Sequence, residues 1–160
     1  MPDLFDRSAE APRPLADRLR PASLSDVIGQ QQVIGPDAPL GVMLASGALS
    51  SIVFWGQPGV GKTTIARLLA DETQLHFVQI SAIFSGVAEL RKVFDAARAR
   101  RRDGQGTLLF VDEIHRFNKA QQDSFLPHME DGTILLVGAT TENPSFELNA
   151  ALLSRAQVLV

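Results

Sequence analysis

The chain predicts an α/β fold built on a parallel sheet covered on both faces, and three observations carry that expectation. Short runs made almost wholly of Val, Ile, Leu and Phe alternate with amphipathic helical stretches, the pattern of strands buried on two sides between crossover helices. A glycine-rich segment, "GQPGVGKTT" (residues 56–64), joins the first run to a helix. The third run ends in an acidic doublet, Asp112 and Glu113, at the carboxyl end of a strand, where open sheets of this kind bind ligands.

The elements follow in order. Residues 1–22 hold four of the nine prolines and no sustained periodicity, which predicts a flexible N-terminal arm. A single α/β domain is expected over 23–160, with order beginning near Leu24. Strands are expected at "SSIVFW" (ending at Trp55), "HFVQI" (76–80), "TLLFV" (107–111), "TILLVGA" (133–139) and "AQVLV" (156–160), all rich in residues that favour pleated, buried positions. Between the second and third, Val87, Leu90, Phe94 and Ala97 recur at helical spacing opposite Glu89, Arg91, Lys92, Asp95 and Arg98, one apolar face against one charged face. Asn118 followed by Gln121 reads as a capping box. It opens a helix with Phe125, Leu126 and Met129 on its apolar side and a kink at Pro127.

Bulk properties exclude several classes. Hydrophobic residues at 45% and charged residues at 21% match a packed globular domain and argue against wholesale disorder. A net charge of -3 leaves no global electrostatic case for nucleic acid, so any DNA contact must be local. The chain has no cysteine, which rules out disulfides and thiolate metal sites. The start "MPDLFDRSAE" is acidic and no apolar run approaches membrane-spanning length. A soluble intracellular protein without membrane contact is therefore expected.

The glycine-rich segment is a phosphate loop by chemistry as well as by spelling. Gly56, Gly59 and Gly61 permit backbone that a side chain would block, so successive N–H groups along Gly56, Gln57, Pro58, Gly59, Val60, Gly61, Lys62, Thr63 and Thr64 can converge on phosphate oxygens, Pro58 alone lacking a donor. The helix that follows adds the positive end of its dipole. Lys62 is placed to reach the β and γ phosphates of a nucleotide and the Thr63 hydroxyl to bind Mg²⁺. Asp112 would hold the same Mg²⁺ through water, and Glu113 would orient and deprotonate the attacking water.

These motifs resemble the ATPase core of the AAA+ family, in its clamp-loader-like branch. "PLADRLRPASLSDVIGQQQVIG", "ISAIFSGVAELR" and "HRFNKAQQDSFLPHMEDGTILLVGATTENPSFELNAALLSR" narrow the resemblance to the replication-associated recombination ATPases, the family of the Werner helicase-interacting ATPases. It covers nearly the whole chain from Pro14 onward. The resemblance implies a P-loop NTPase core with a five-stranded parallel sheet, the chain being a fragment that stops before a helical lid and an oligomerising region. A fragment of that kind is expected to turn over ATP negligibly by itself.

Site residues carried by the resemblance are these. Arg20, Pro21, Val27, Ile28 and Gly29 match the segment that wraps adenine and ribose. Thr140 matches the sensor of the γ-phosphate, with Thr141 and Asn143 close enough to compete. Ser81 resembles a polar residue that restrains Glu113, or is a simple strand-end hydroxyl. "SRA" matches the Ser-Arg-Cys motif of clamp loaders, with Ala156 where Cys is usual. Arg155 is then the arginine that acts in trans on a neighbouring subunit's nucleotide, or a cap on the short helix opened by Asn149.

The resemblance further implies a homo-oligomer, a tetramer in the whole protein, that meets DNA ends, gaps or forks and single-strand-binding protein. "MPDLF" resembles a sliding-clamp-binding peptide through Leu4 and Phe5. Arg98, Arg100, Arg101 and Arg102 before Gly104 suit a helix C-terminus or a DNA contact. His76, His115 and His128 lack metal-ligand spacing, and His115 is placed to relay nucleotide state to a partner. Trp55, next to Gly56, is a natural fluorescence reporter. The activity implied is ATP hydrolysis driving remodelling of DNA or the replisome. Two alternatives stand beside it: a scaffold that binds nucleotide and hardly hydrolyses, and a branch-migration motor like RuvB, which shares "GATT" and "DEIHR".

Overall fold

A computed structural model describes residues 50–57 and 61–160. The predicted arm, the Leu4–Phe5 peptide, the adenine segment Arg20, Pro21, Val27, Ile28 and Gly29, and the loop residues Pro58, Gly59 and Val60 all lie outside the described residues.

Five strands form one parallel sheet: β1 (Ser51–Trp55), β2 (His76–Ser81), β3 (Thr107–Asp112), β4 (Ile134–Thr140) and β5 (Ala156–Leu159), in the order β2-β3-β4-β1-β5. Their side chains alternate between two cores, as period-two geometry requires. Ile52 and Phe54 of β1, Leu108 and Phe110 of β3, and Val137 and Ala139 of β4 meet Ile65, Ala66, Leu68, Leu69 and Ala70 of helix α1 (Lys62–Thr73). Val53, Leu109, Val111 and Leu136 face the other side, against Leu90, Val93, Phe94 and Ala97 of helix α2 (Val87–Arg102). With both faces covered, the central strands β1, β3 and β4 are mostly apolar, which is why their runs were readable.

Helix α2 differs from its predicted face at one position. Val87 is 61% exposed and Val93 takes its place in the core. Val87 is the first residue of the helix and lies on the rim of a surface cavity beside Leu90, Arg91 and Phe94. The other end closes as a Schellman motif: the Gln105 N–H donates to Arg100 O and the Gly104 N–H to Arg101 O, each at 2.9 Å, with Gly104 at φ +87.

The capping box forms as predicted, with Asn118 and Gln121 each accepting the other's backbone N–H. The helix it opens is broken instead of kinked. Helix α3 (Lys119–Asp123) stops, and α4 (Leu126–Glu130) restarts with Pro127 in its first turn, where a missing N–H costs nothing. Buried Gln122 fastens this region, donating to Phe117 O and Glu147 O and accepting the Asn149 N–H. Two short helices, α5 (Pro144–Glu147) and α6 (Ala150–Leu153), lead into β5.

One close approach sets the site's geometry. A 3-10 turn (Ile114–Arg116) follows β3 and lays Ile114, fully buried, on Gly138 of β4. A Cβ at Gly138 would stand 2.9 Å from Ile114 Cδ1 and 3.2 Å from its Cγ2. Gly138→Ala is therefore expected to destabilise the domain by about 1–3 kcal/mol, the usual cost of overpacking. The urea midpoint of the variant checks it; an unchanged midpoint would mean that Ile114 can turn aside.

Candidate active site

The pocket lies at the carboxyl ends of β1, β3 and β4, neighbours in the sheet. It measures about 480 Å³ and is lined by Gly61, Lys62, Thr63, Thr64, Phe110, Asp112, Glu113, Thr140 and Thr141. Gly61 caps α1 at φ 88, ψ 15, left-handed backbone that favours glycine. No side-chain cap bond and no acidic residue occupies the first turn of this 12-residue helix. Its leading residues line the pocket with N–H groups that lack intrahelical acceptors.

Lys62 bridges the carboxyl ends of the neighbouring strands β1 and β4. Its ammonium donates to Gly56 O at 2.6 Å and to Thr140 O at 3.2 Å, and the Gly56 N–H donates to the same Thr140 carbonyl at 3.1 Å. Burial holds the Lys62 ammonium below its ordinary pKa, opposed by the Asp112 and Glu113 carboxylates across the pocket, which raise it. Cation and carboxylates thus share one cavity. Trp55, half-buried at the end of β1, is the register partner of Thr140.

Glu113 stands at φ 56, ψ 43, left-handed backbone that a residue with a side chain adopts only at a cost of about 1–3 kcal/mol. This turn ends β3 abruptly and leaves Asp112 and Glu113 on the pocket wall while Ile114 turns into the core. Thr63 and Asp112 offer hard oxygen ligands at the lysine's side, the donor set that Mg²⁺ takes together with waters and phosphate oxygens. Among the described residues, no three His, Asp or Glu converge on a metal.

Of the three sensor candidates the structure separates one. Thr140 and Thr141 line the pocket, but Asn143 caps α5, accepting from the Ser145 N–H and hydroxyl. Thr140 is 1% exposed, and its hydroxyl lies 2.8 Å from His115 Nδ1. This contact was not legible as such, because 25 residues separate the partners. Ser81 accepts the Ile83 N–H at 3.3 Å and opposes Asp112 in register; among the described residues it makes no bond with Glu113.

Arg155 is not brought to this pocket. It precedes β5, whose first residue Ala156 pairs with Ser51 at the opposite, amino end of the sheet. Its guanidinium donates to Ala151 O at 2.9 Å, capping α6, and forms an ion pair with Glu130. The arginine run is largely engaged at home: Arg98 pairs with Asp95, Arg100 donates to the Thr107 hydroxyl, and Arg101 faces Asp131. His128 stacks on Phe94 at 4.1 Å, and burial there, with Arg98 adding to it, lowers its pKa.

Sheet order, helix start and strand-end carboxylates around one pocket define the P-loop nucleotide-binding class. Residues 52–160 match the ATPase family associated with various cellular activities (AAA), and the chain belongs to that family. It is 51% identical over 98% of its length to replication-associated recombination protein A of Haemophilus influenzae, and 54% over 96% to the protein of that name from Escherichia coli K12. It is 48% identical over 91% of its length to ATPase WRNIP1 of Dictyostelium discoideum, of which it covers 17%. The chain spans about a third of the two bacterial relatives' length, 35% and 34%. Among solved structures, the RuvB Holliday junction branch migration motor of Thermotoga maritima is similar at TM-score 0.66 and 32% identity, over 88% of this chain and 48% of that one. None of the described helices is long and apolar enough to cross a membrane.

Proposed function

We propose that this chain is the ATP-binding and hydrolysing core of an oligomeric ATPase that acts on DNA during replication-associated recombination. The observation that carries the ATPase reading is the meeting of Lys62 with Asp112 and Glu113 around one cavity. Lys62 binds the β and γ phosphates, releasing its two carbonyls as it does so. The amides of the first turn of α1 hold phosphate oxygens. Thr63 and Asp112 hold Mg²⁺, which neutralises the phosphate charge when bound. Glu113 takes the proton of the attacking water, and Thr140 donates its hydroxyl to the γ-phosphate.

DNA and a second copy of the chain are the partners this reading calls for, supported by the relatives at 51–54% identity. A branch-migration motor is the second reading, and the 32% identity to RuvB favours it less than those relatives favour the first.

Trp55 supplies the test. Its emission should change saturably on addition of Mg²⁺-ATP. Lys62→Ala should weaken the fitted affinity about 10- to 100-fold, the worth of one or two hydrogen bonds to a charged group. An unmodified chain whose Trp55 signal ignores nucleotide, with no binding by calorimetry either, would dismiss the reading.

A further inference from the structure

We propose that Phe146 of one copy of this chain seats in the groove between α2 and α3 of a second copy, with Glu142 and Glu147 facing Arg91 and Arg98. The proposal rests on the oligomer in the reading above and adds to it two surfaces that meet head to tail.

The groove has the chemistry to receive an aromatic ring flanked by carboxylates. It measures about 420 Å³, and its apolar wall is Val87, Leu90 and Phe94, with the His128 ring stacked on Phe94. Leu90 and Phe94 are buried at its base, whereas Val87 is open to water at the rim. Arg91 and Arg98 line it, and no carboxylate does. Asp95 neutralises Arg98 in part, through a pair that both residues leave half open to solvent. Arg91 is exposed. The groove therefore keeps an excess of positive charge over an apolar floor.

The complementary surface is on α5. Phe146 is 83% exposed, although the same short helix buries Pro144 and the residue after it, Leu148, is in the core. A ring held out in water on an anchored helix is suited to enter a preformed apolar pocket, the usual place of an interface hot spot. Glu147 follows Phe146 directly and Glu142 precedes the helix, and both side chains are exposed. Aromatic anchor and acidic flanks match apolar wall and basic rim.

Hydrogen bonds on α3 decide which copy supplies the ring. Gln122 donates to Glu147 O and accepts the Asn149 N–H, and Asp123 accepts from the Asn149 amide, fixing α5 and α6 to one flank of α3. Ala120, Gln121 and Ser124 line the groove on the other. A chain's own Phe146 thus stands across α3 from its own groove. Because ring and groove are different patches, contact between copies is head to tail and repeats from subunit to subunit. One anchored aromatic buries about 150–250 Å², against the roughly 1,200 Å² of a stable interface. The contact sets the register of neighbours and does not hold them unaided, so trapping tests it better than sedimentation.

The chain has no cysteine, so an introduced pair reads without background. Chains carrying Ser145→Cys, beside the ring, are mixed under mild oxidation with chains carrying Val87→Cys on the groove rim, both positions being exposed. The mixed disulfide dimer should form faster than with Val158→Cys, a control exposed on β5, in place of Val87→Cys. Phe146→Ala in the Ser145→Cys chain should slow the linkage about 5- to 50-fold, the worth of an aromatic anchor, with no change in its urea midpoint. Arg91→Glu in the Val87→Cys chain should slow it about 2- to 5-fold, the range for a solvent-exposed ion pair. Reversal of both Glu142 and Glu147 to Lys in the other chain should recover that loss. Linkage no faster than to Val158→Cys, linkage indifferent to Phe146→Ala, or Ser145→Cys chains that link faster to each other would overturn the proposal. A saturable Trp55 response to Mg²⁺-ATP in the same chains would then leave the ATPase reading standing, and loss of that response would remove the reading whatever the trapping shows.

Discussion

Glu113→Gln is expected to slow ATP turnover by about 10²- to 10⁴-fold, the range set by loss of a positioned general base, while nucleotide affinity holds or tightens. Glutamine keeps the length and hydrogen-bonding atoms of glutamate but cannot accept a proton at neutral pH. It also removes one negative charge from a pocket that must receive a triphosphate, where Asp112 and Glu113 both act electrostatically on Lys62. The left-handed backbone at Glu113 makes this a clean exchange, because both residues carry the same Cβ penalty and the turn is held by Ile114 behind it. Asp112→Asn should behave differently, weakening Mg²⁺-dependent binding as well as turnover. The measurement is steady-state turnover beside Trp55 titration, in an assembly that hydrolyses ATP. Turnover of Glu113→Gln within twofold of the parent would move the base elsewhere in the pocket.

What the sequence made legible was local in the chain. The phosphate loop occupies nine consecutive residues, the acidic doublet ends one strand, and the Asn118 capping box spans four positions, so each could be recognised before any fold was known. Strand positions were equally plain, since a sheet buried on both faces leaves its strands without polar alternation. Periodicity alone could not say which apolar residues of α2 reach the core, and so it placed Val87 there where Val93 belongs. Nor could it choose among Thr140, Thr141 and Asn143. Setting Asn143 apart needed the short helix α5, whose first turn takes its side chain, while Thr140 and Thr141 both stay on the pocket. The contacts of His115 with Thr140 and of Arg155 with Glu130 join residues 25 positions apart, each pair meeting because β3, β4 and β5 are placed by the whole sheet. No spacing rule reaches that far.

Arg155→Ala is expected to reduce turnover of the assembled ATPase by about 10³- to 10⁵-fold, the range for an arginine that stabilises charge developing on a transferred phosphoryl group. An effect of that size would have to act in trans. Arg155 sits at the amino end of the sheet and the pocket at the carboxyl end, separated by the length of β1, roughly 16 Å for five residues. Its present partners do not hold it firmly, because Arg155 and Glu130 are 40% and 51% exposed and an ion pair so open to water contributes at most about 1 kcal/mol. A neighbour's phosphate can displace such a partner. The alternative, that Arg155 serves only to cap α6 through Ala151 O, predicts the opposite division of effects: a lower urea midpoint for Arg155→Ala and near-parental turnover in the folded fraction. Mixing decides between them. A Lys62→Ala subunit has an intact Arg155 and a dead pocket, whereas an Arg155→Ala subunit has an intact pocket and no arginine to lend. Each assembly alone should be inactive, and the mixture should recover turnover at interfaces where a Lys62→Ala subunit presents its arginine to an Arg155→Ala pocket. Absence of recovery after verified subunit exchange would confine Arg155 to its own chain, where it caps α6 and pairs with Glu130.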